Sequence, residues 1–186
     1  DNTLILFTTD NGTPAASYLT VNEQGKMVRP KVVSARNGKV VPGGKGKFDD
    51  TGTRVPLIAN WPGRIKPGQE VDDMVDLTDY LPTLAEVAGL EDDGVPRDGI
   101  SFAPLLLGDG ERHHKRPWVF FELRGTRCVR SPRWKLYDDG RFFDLKQDPG
   151  EETPLGPQQR DGEAERNVEE LSRELAALRG PLEDTE

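Results

Sequence analysis

Near its start the sequence has a short apolar run, Leu4-Ile5-Leu6-Phe7, followed directly by Thr9-Asp10-Asn11-Gly12. A continuous apolar run of this length, bounded by turn residues, predicts a strand buried on both faces in a parallel α/β sheet. Ligands of such sheets bind beyond the carboxyl ends of the strands, where Asp10 and Asn11 fall. Their oxygens suit Ca²⁺ or Mg²⁺. Asn-Gly is also a common turn signal, so a plain turn is the alternative interpretation.

A second motif, Gly43-Gly44-Lys45-Gly46, lies just before Gly52-Thr53-Arg54-Val55-Pro56. Glycine backbone N–H groups and one ammonium could together bind an anion there. The motif is not a Walker A loop, because no Ser or Thr follows Lys45 and the glycine spacing differs. The sequence therefore pairs a candidate cation site with a candidate anion site.

Together these motifs resemble the type I sulfatases of the alkaline phosphatase superfamily, and the resemblance covers most of the chain up to about Leu155. Further motifs in the same order carry it: Ile58 to Gly63, Asp79-Tyr80-Leu81-Pro82-Thr83-Leu84 with Ala88-Gly89, Asp98-Gly99-Ile100-Ser101 with Pro104-Leu105-Leu106, and Phe143-Asp144-Leu145 with Asp148-Pro149 and Glu152.

The resemblance implies an enzyme that hydrolyses sulfate monoesters. Asp10 and Asn11 match the metal ligands of the family, with Ca²⁺ expected and Mg²⁺ possible, and Lys45 matches its sulfate-binding lysine. The nucleophile of the family is a formylglycine, which is expected in an N-terminal part that this sequence does not include. Arg54 is expected to tie its loop to the sheet. The family suggests a periplasmic, secreted or lysosomal location.

Three departures from the family pattern limit what the chain can do alone. Cys128 is followed by Val129-Arg130-Ser131-Pro132-Arg133, which misplaces Pro and Arg for the formylglycine signature, so Cys128 is not the nucleophile. The paired acidic metal ligands and the catalytic histidines of the family are missing. Thr51 stands where a glycine is usual. The isolated chain is therefore expected to be an inactive fragment.

Two other functions remain open. One keeps the fold and changes the substrate, giving a phosphodiesterase or phosphonate hydrolase of the same superfamily. The other is a non-catalytic module that binds sulfated glycans. The expected partner is a sulfated small molecule or glycan. A net charge of −8 argues against nucleic acid, and no apolar run is long enough to span a membrane.

The predicted fold class is α/β, with parallel-sheet strands and helices followed by a small antiparallel sheet. Residues 1–110 are predicted to be the C-terminal part of the catalytic domain, and residues 111–186 a small subdomain with a terminal helix. The elements after the first strand are predicted as two hairpins (Tyr18 to Val28, Val32 to Val41), a helix (Val75 to Ala88), four strands (Trp118 to Phe121, Thr126 to Arg130, Trp134 to Tyr137, Arg141 to Leu145), an amphipathic helix (Glu163 to Arg179) and a frayed end (Leu182 to Glu186).

Several charged and apolar groups receive structural interpretations. The helix face with Leu81, Leu84, Ala85 and Ala88 is predicted to be core. Four acids near the start of the helix are attributed to the helix dipole in preference to a metal site: Asp72, Asp73, Asp76 and Asp79. His113 and His114 are predicted to lie in an exposed loop. Five basic residues of the four strands either steer an anionic substrate or form solvated strand faces: Arg124, Arg127, Arg130, Arg133 and Lys135.

Overall fold

A computed structural model describes residues 2–36, 38–90 and 94–178. Asn37 and the predicted frayed end at Leu182 to Glu186 lie outside the described residues. The strands are β1 (Ile5–Thr8), β2 (Thr20–Val21), β3 (Met27–Val28), β4 (Val33–Arg36), β5 (Lys39–Pro42), β6 (Leu57–Asn60), β7 (Val119–Leu123), β8 (Thr126–Arg130), β9 (Trp134–Tyr137) and β10 (Phe142–Asp144). The helices are α1 (Asp50–Thr53), α2 (Tyr80–Val87), α3 (Ala103–Leu106) and α4 (Gly162–Ala177), with 3-10 turns at Leu77–Asp79 and Pro157–Gln159.

The first strand forms as predicted, but its burial differs. β1 pairs with β6 in a two-stranded sheet. Along β1 the side chains alternate between half-buried and exposed, with Ile5 56% and Phe7 55% exposed. Burial on both faces is therefore wrong within the described residues, because no part of them covers the face that carries these two side chains.

Both predicted hairpins are present between β1 and β6. β2 pairs antiparallel with β3, and β4 pairs antiparallel with β5. Gly25 has a φ of 72°, which a glycine adopts without the clash that a Cβ would cause, and its N–H donates to the carbonyl of Asn22 at 2.9 Å. Local turn chemistry therefore accounts for the first hairpin.

The four predicted strands form one antiparallel sheet in the order β10-β9-β8-β7. Its register places Val129 opposite Phe120 on one side and Leu136 on the other, and Leu136 opposite Phe142. Residues opposite one another in an antiparallel pair share a face. This row of apolar side chains forms one face of the main core.

Helix α4 covers that face, as predicted. Asp161 caps its N-terminus by accepting hydrogen bonds from the N–H groups of Glu163 and Ala164. The apolar residues then recur every three or four positions, which places them on one stripe of the helix. The stripe packs into the core with the sheet residues, and it consists of Ala164, Val168, Leu171, Leu175 and Leu178.

The helix predicted over 75–88 is shorter, and its core face is different. Asp76 caps the 3-10 turn by accepting from the N–H of Thr78 at 2.9 Å, and α2 then begins at Tyr80. Leu81 is 62% exposed and Leu84 is 46% exposed, so the predicted core face is wrong. Thr83 is the buried residue of α2 instead. Its hydroxyl can be buried without losing hydrogen bonds because it accepts from the N–H of Phe102 at 2.9 Å and donates to the carbonyl of Asp79.

The predicted loop over 90–117 contains α3, which the sequence analysis missed. Phe102 and Ala103 are buried there, and the ring of Phe102 meets Tyr80 edge-on at 5.7 Å between centroids. In the same stretch the His113 side chain is only 7% exposed, so the exposed-loop prediction is wrong for it, whereas His114 is exposed.

Most of the basic strand residues serve the structure of the small sheet. Arg133 donates two hydrogen bonds to Asp144, at 3.0 and 2.7 Å, and one to Glu163 of α4 at 2.8 Å. The hydrogen bond from Arg133 holds the pKa of Asp144 below its usual range. Lys135 is buried, and Arg127 donates to the carbonyl of Leu178. Burial contradicts the solvated strand face for Lys135, whereas substrate steering by these residues stays a prediction.

The chain divides into two compact units. One comprises residues 7–58 and 149–151, and the other comprises residues 1–6, 59–148 and 152–186. This division follows compactness along the chain and does not test the predicted domain boundary between residues 110 and 111, which stays a prediction.

Candidate functional site

The two sequence motifs that predicted a site come together in the unit of residues 7–58. The carbonyl of Thr13 accepts hydrogen bonds from the N–H groups of Gly44, at 2.9 Å, and Lys45, at 3.0 Å. The N–H of Gly12 donates to the carbonyl of Gly52 at 2.8 Å. The loop with Asp10 and Asn11, the loop with Lys45 and the start of the Gly-x-Arg-Val-Pro motif are thus fixed to one another through their backbones.

Glycines make this close approach possible, because an added Cβ would overlap neighbouring atoms. At Gly44 it would lie 1.8 Å from Oγ1 of Thr51, and at Gly12 it would lie 2.0 Å from the carbonyl oxygen of Thr51. Gly43 and Gly52 have similar contacts with Pro14 and Lys47. These four glycines are therefore required by close packing against neighbouring atoms.

Thr51, the departure from the family pattern, lies at the centre of this packing. Asp49 caps α1 by accepting from the N–H of Thr51 at 2.8 Å, and it also accepts from the Thr51 hydroxyl. The hydroxyl is thereby held against the position of Gly44. Arg54 pairs with Asp50 at 3.5 Å, one turn away in its own segment, and its tie to the sheet stays a prediction.

The chain bends at Asp10 and Asn11, but the specific turn predicted as the alternative is not found. A turn of that kind needs a positive φ at the glycine or a side-chain bond to the backbone two residues on. Gly12 does not have a positive φ. Its N–H donates to Gly52, and therefore does not bond the side chain of Asp10.

The side chains assigned to the site are available for ligands. Asp10 and Lys45 are exposed and Asn11 is partly exposed. Within the described residues, neither the Asp10 carboxylate nor the Lys45 ammonium forms an ion pair, and no group of three or more His, Cys, Asp or Glu side chains is placed to hold a metal ion. Asp10 and Asn11 supply two oxygen donors of the kind that Ca²⁺ prefers, out of the six to eight it usually takes.

A buried ion pair in the other unit was missed from the sequence. Asp79 is 2% exposed and accepts from Nε of Arg116 at 2.9 Å, with a second, shorter contact to Nη2 of the same residue. Asp79 also accepts from the N–H groups of Ile100 and Asp76. Asp79 does lie at a helix N-terminus, where it forms a capping box with Asp76, and the ion pair with Arg116 is a second role that the sequence analysis missed. No sequence spacing indicates a pair separated by 37 positions.

A second cluster in that unit contains His113. Its Nε2 lies 3.1 Å from Asp73, and Lys115 donates to the other oxygen of Asp73 at 2.8 Å. The hydrogen bond from Lys115 is the main reason why the pKa of Asp73 is lowered. These contacts hold the His113 side chain, which is 7% exposed, within an otherwise polar loop.

Cys128 lies fully buried in β8, opposite Phe121 and Tyr137. A buried thiol in apolar surroundings is a poor nucleophile. This burial agrees with the prediction that Cys128 does not act on the substrate.

Among the helices in the described part of the chain, none is long and apolar enough to cross a membrane.

Comparison with known proteins identifies the family. Residues 45–180 match the family model for the C-terminal region of N-sulphoglucosamine sulphohydrolase. Arylsulfatase A from Bos taurus is 30% identical over 181 residues, which cover 80% of this chain and 32% of that protein. Steryl-sulfatase from Mus musculus is 31% identical over 192 residues, covering 84% of this chain and 29% of that protein.

A solved structure gives the same result at the level of the fold. The structure of a 2-O GAG sulfatase superposes with a TM-score of 0.60 and 27% identity, over 94% of this chain and 35% of that one. The chain spans about a third of the length of these relatives. The mixed α/β fold with its four-stranded antiparallel sheet and terminal helix agrees with this likeness, and the chain belongs to the sulfatase family, in the region toward the C-terminus of its relatives.

Proposed function

We propose that this chain supplies part of the active site of a sulfuric ester hydrolase that acts on sulfate monoesters. The observation that supports this most is the convergence of the two motif loops at the carbonyl of Thr13, with the carboxylate of Asp10 and the ammonium of Lys45 both left without ion pairs in the described residues. One loop offers a carboxylate that can bind a metal ion, and the adjoining loop offers an ammonium that can bind an anion. This arrangement suits a substrate whose sulfate contacts the metal ion and the ammonium together.

Lys45 is proposed to bind the sulfate oxygens. Its backbone N–H is fixed by Thr13, and the preceding glycine packs against Thr51, so the start of its side chain is positioned by the fold. Negative charge grows on the oxygens of the ester as the bond to sulfur breaks. An ammonium placed there stabilises the transition state more than the bound ester, which is the condition for faster turnover.

Asp10 and Asn11 are proposed to hold the divalent cation, Ca²⁺ or Mg²⁺. Their carboxylate and amide oxygens fit a hard cation, and within the described residues no ion pair competes for Asp10. When bound, such a cation neutralises charge on the sulfate and orients the nucleophile. Two donors do not complete a calcium site, so the remaining ligands, like the formylglycine nucleophile, are expected from the rest of the enzyme.

The proposed substrate class is a sulfated glycan or small sulfate ester. The likeness to a 2-O GAG sulfatase at 27% identity supports the glycan. The likeness to arylsulfatase A and steryl-sulfatase supports a hydrolase of sulfate esters more generally. The site residues themselves contact only the sulfate and the cation, and so do not select the group that carries the sulfate.

The test separates the two loops by role. In the complete enzyme, Lys45→Ala should lower kcat/KM about 10²–10³-fold, the effect of removing one transition-state donor, and should leave the bound metal unchanged. Asp10→Ala should remove both metal and activity. Lys47→Ala is the matched control, because Lys47 is a neighbouring lysine that is 56% exposed and pairs only at 4.0 Å with Asp49.

Steady-state kinetics on a sulfate ester, with metal analysis of each purified variant, measures both effects. Solvated single charges contribute little, so Lys47→Ala should change the rate by less than about twofold. A Lys45→Ala enzyme with nearly wild-type kcat/KM would contradict the assignment of Lys45. An Asp10→Ala enzyme that keeps its metal would contradict the assignment of Asp10.

A further inference from the structure

The segment between the two site loops has the opposite charge to the rest of the chain. Residues 13–42, here called the hairpin segment, contain five Lys and Arg residues and one acidic residue, a net charge of +4, whereas the whole chain carries −8. The adjoining loop adds Lys45 and Lys47. A local excess of one sign in a chain of the other sign creates a potential that attracts oppositely charged ligands.

The structure attaches this segment directly to the candidate site. Below the β2-β3 hairpin, Ala16 forms an antiparallel bridge with Lys31, and the N–H of Val32 donates to the carbonyl of Ala15 at 3.1 Å. The hairpin is therefore the outer part of a longer two-stranded ribbon. At the base of the ribbon, the N–H of Gly43 donates to the carbonyl of Val32 at 3.0 Å. The ribbon thus begins where the Lys45 loop begins.

Four of the five cations of the segment are exposed in the structure. Lys26 lies in the turn at the outer end of the ribbon, Arg29 follows β3, Lys31 lies at the base, and Lys39 begins β5. All four side chains belong to exposed residues, and within the described residues none of them forms an ion pair. Lys31 lies five positions after Lys26, which in extended chain is a span of about 16 Å.

We propose that the hairpin segment is a binding surface for a polysulfated glycan, and that it holds sulfate groups of the same chain whose neighbouring sulfate lies at Lys45. The proposal rests on the proposed function and names the extended substrate of that site. A row of separated cations that leads away from the sulfate-binding loop suits a linear polyanion. Each contact is weak because it is solvated, so binding requires several of them and falls steeply with salt.

An anionic lipid surface is the competing partner. Its cations would attract anionic headgroups, and the segment also exposes six large apolar or aromatic side chains: Tyr18, Leu19, Val21, Met27, Val33 and Val40. Segments that lie in a lipid interface usually present several Trp, Phe or Leu residues on the apolar side, and of these types the hairpin segment contains only Leu19. The unpaired cations are therefore the stronger feature, and the glycan is the partner that they favour.

The experiment compares two variants of equal net charge. The hairpin variant carries Lys26→Gln, Arg29→Gln, Lys31→Gln and Lys39→Gln. The control variant carries Lys66→Gln, Lys146→Gln, Arg166→Gln and Arg173→Gln, four exposed cations outside the segment. Calorimetry with heparin in about 50 mM salt should show binding by the wild type and the control, and a loss of about tenfold or more in the hairpin variant. Equal losses in both variants, or unchanged binding by the hairpin variant, would overturn the proposal.

Three further measurements identify the partner and separate this proposal from the proposed function. Chemically desulfated heparin should bind at least about tenfold more weakly than heparin, since fewer anionic groups remain. Binding to vesicles of anionic phospholipid, but not to heparin, would overturn the proposal in favour of a lipid surface. In the complete enzyme, the hairpin variant should hydrolyse a small monosulfated aryl ester within about twofold of wild type. Heparin binding without turnover of any sulfate ester would contradict the proposed function but would still support the proposed binding surface.

Discussion

The site loops and the sheet-helix region of this chain are held together by different interactions. The loops around Thr51 contact one another through backbone hydrogen bonds and glycines that exclude a Cβ. The four-stranded sheet and α4 share a core of aromatic and aliphatic side chains, with Arg133 bound to both Asp144 and Glu163. In the first region the charged groups of Asp10 and Lys45 form no ion pair within the described residues, whereas in the second Arg133 binds two carboxylates and helps to hold the fold.

The largest expected effect lies in the sheet-helix region. Phe142 is fully buried, and its ring stacks on Trp134 with 5.2 Å between the centroids. Phe142→Ala should lower the free energy of unfolding by about 3–5 kcal/mol, because it removes a large apolar side chain and leaves a cavity. Val40→Ala in the hairpin segment is the control, since Val40 is 74% exposed and should change stability by about 0.5 kcal/mol or less.

Denaturant unfolding of both variants measures this difference. A loss below about 1 kcal/mol for Phe142→Ala would mean that the sheet and helix do not form the dominant core described here. A large loss of unfolding free energy for Val40→Ala would mean that the Val40 side chain is buried in solution, which contradicts its exposure in the structure.

A smaller and more local effect is expected at the site. Gly44→Ala places a Cβ against Thr51 and should cost about 1–3 kcal/mol, the usual penalty for overpacking. Gly46→Ala has no atom within 4 Å to clash with and is opposed only by its φ of 85°, so it should cost about 1 kcal/mol.

Amide hydrogen exchange separates these two glycines better than global unfolding does. The amides of Gly44 and Lys45 should lose protection in Gly44→Ala, because their bonds to Thr13 depend on the close approach, and should keep it in Gly46→Ala. Equal protection in both variants would show that the contact between Gly44 and Thr51 does not hold the loop.

The same contrast explains which parts of the fold could be predicted from the sequence. The four strands and α4 follow from local alternation and from the spacing of Val168, Leu171 and Leu175, so they were found. The exposure of Leu81 and the burial of Thr83 depend on what covers each side of α2. The pair of Asp79 and Arg116 depends on chain segments far apart in sequence. Periodicity does not contain that information.

The candidate site was predictable in its parts and not in its assembly. Asp10, Asn11 and Lys45 were found because their motifs resemble those of a family. The junction that unites them uses the backbone of Thr13 and Gly52, and neither residue type indicates such a role. Thr51 was noted only as a departure, and its hydroxyl proves to lie against Gly44. Backbone contacts of this kind can be made by any residue type, so the residue types do not predict them.

The most direct test of the central claim, that the two loops form one sulfate and metal site, is a crystal structure of the complete enzyme grown with Ca²⁺ and sulfate. We predict a sulfate oxygen within about 3.2 Å of Nζ of Lys45. We also predict oxygens of Asp10 and Asn11 about 2.3–2.6 Å from the cation. A structure in which the cation and the sulfate are bound elsewhere, with Lys45 and Asp10 both in solvent, would contradict the account.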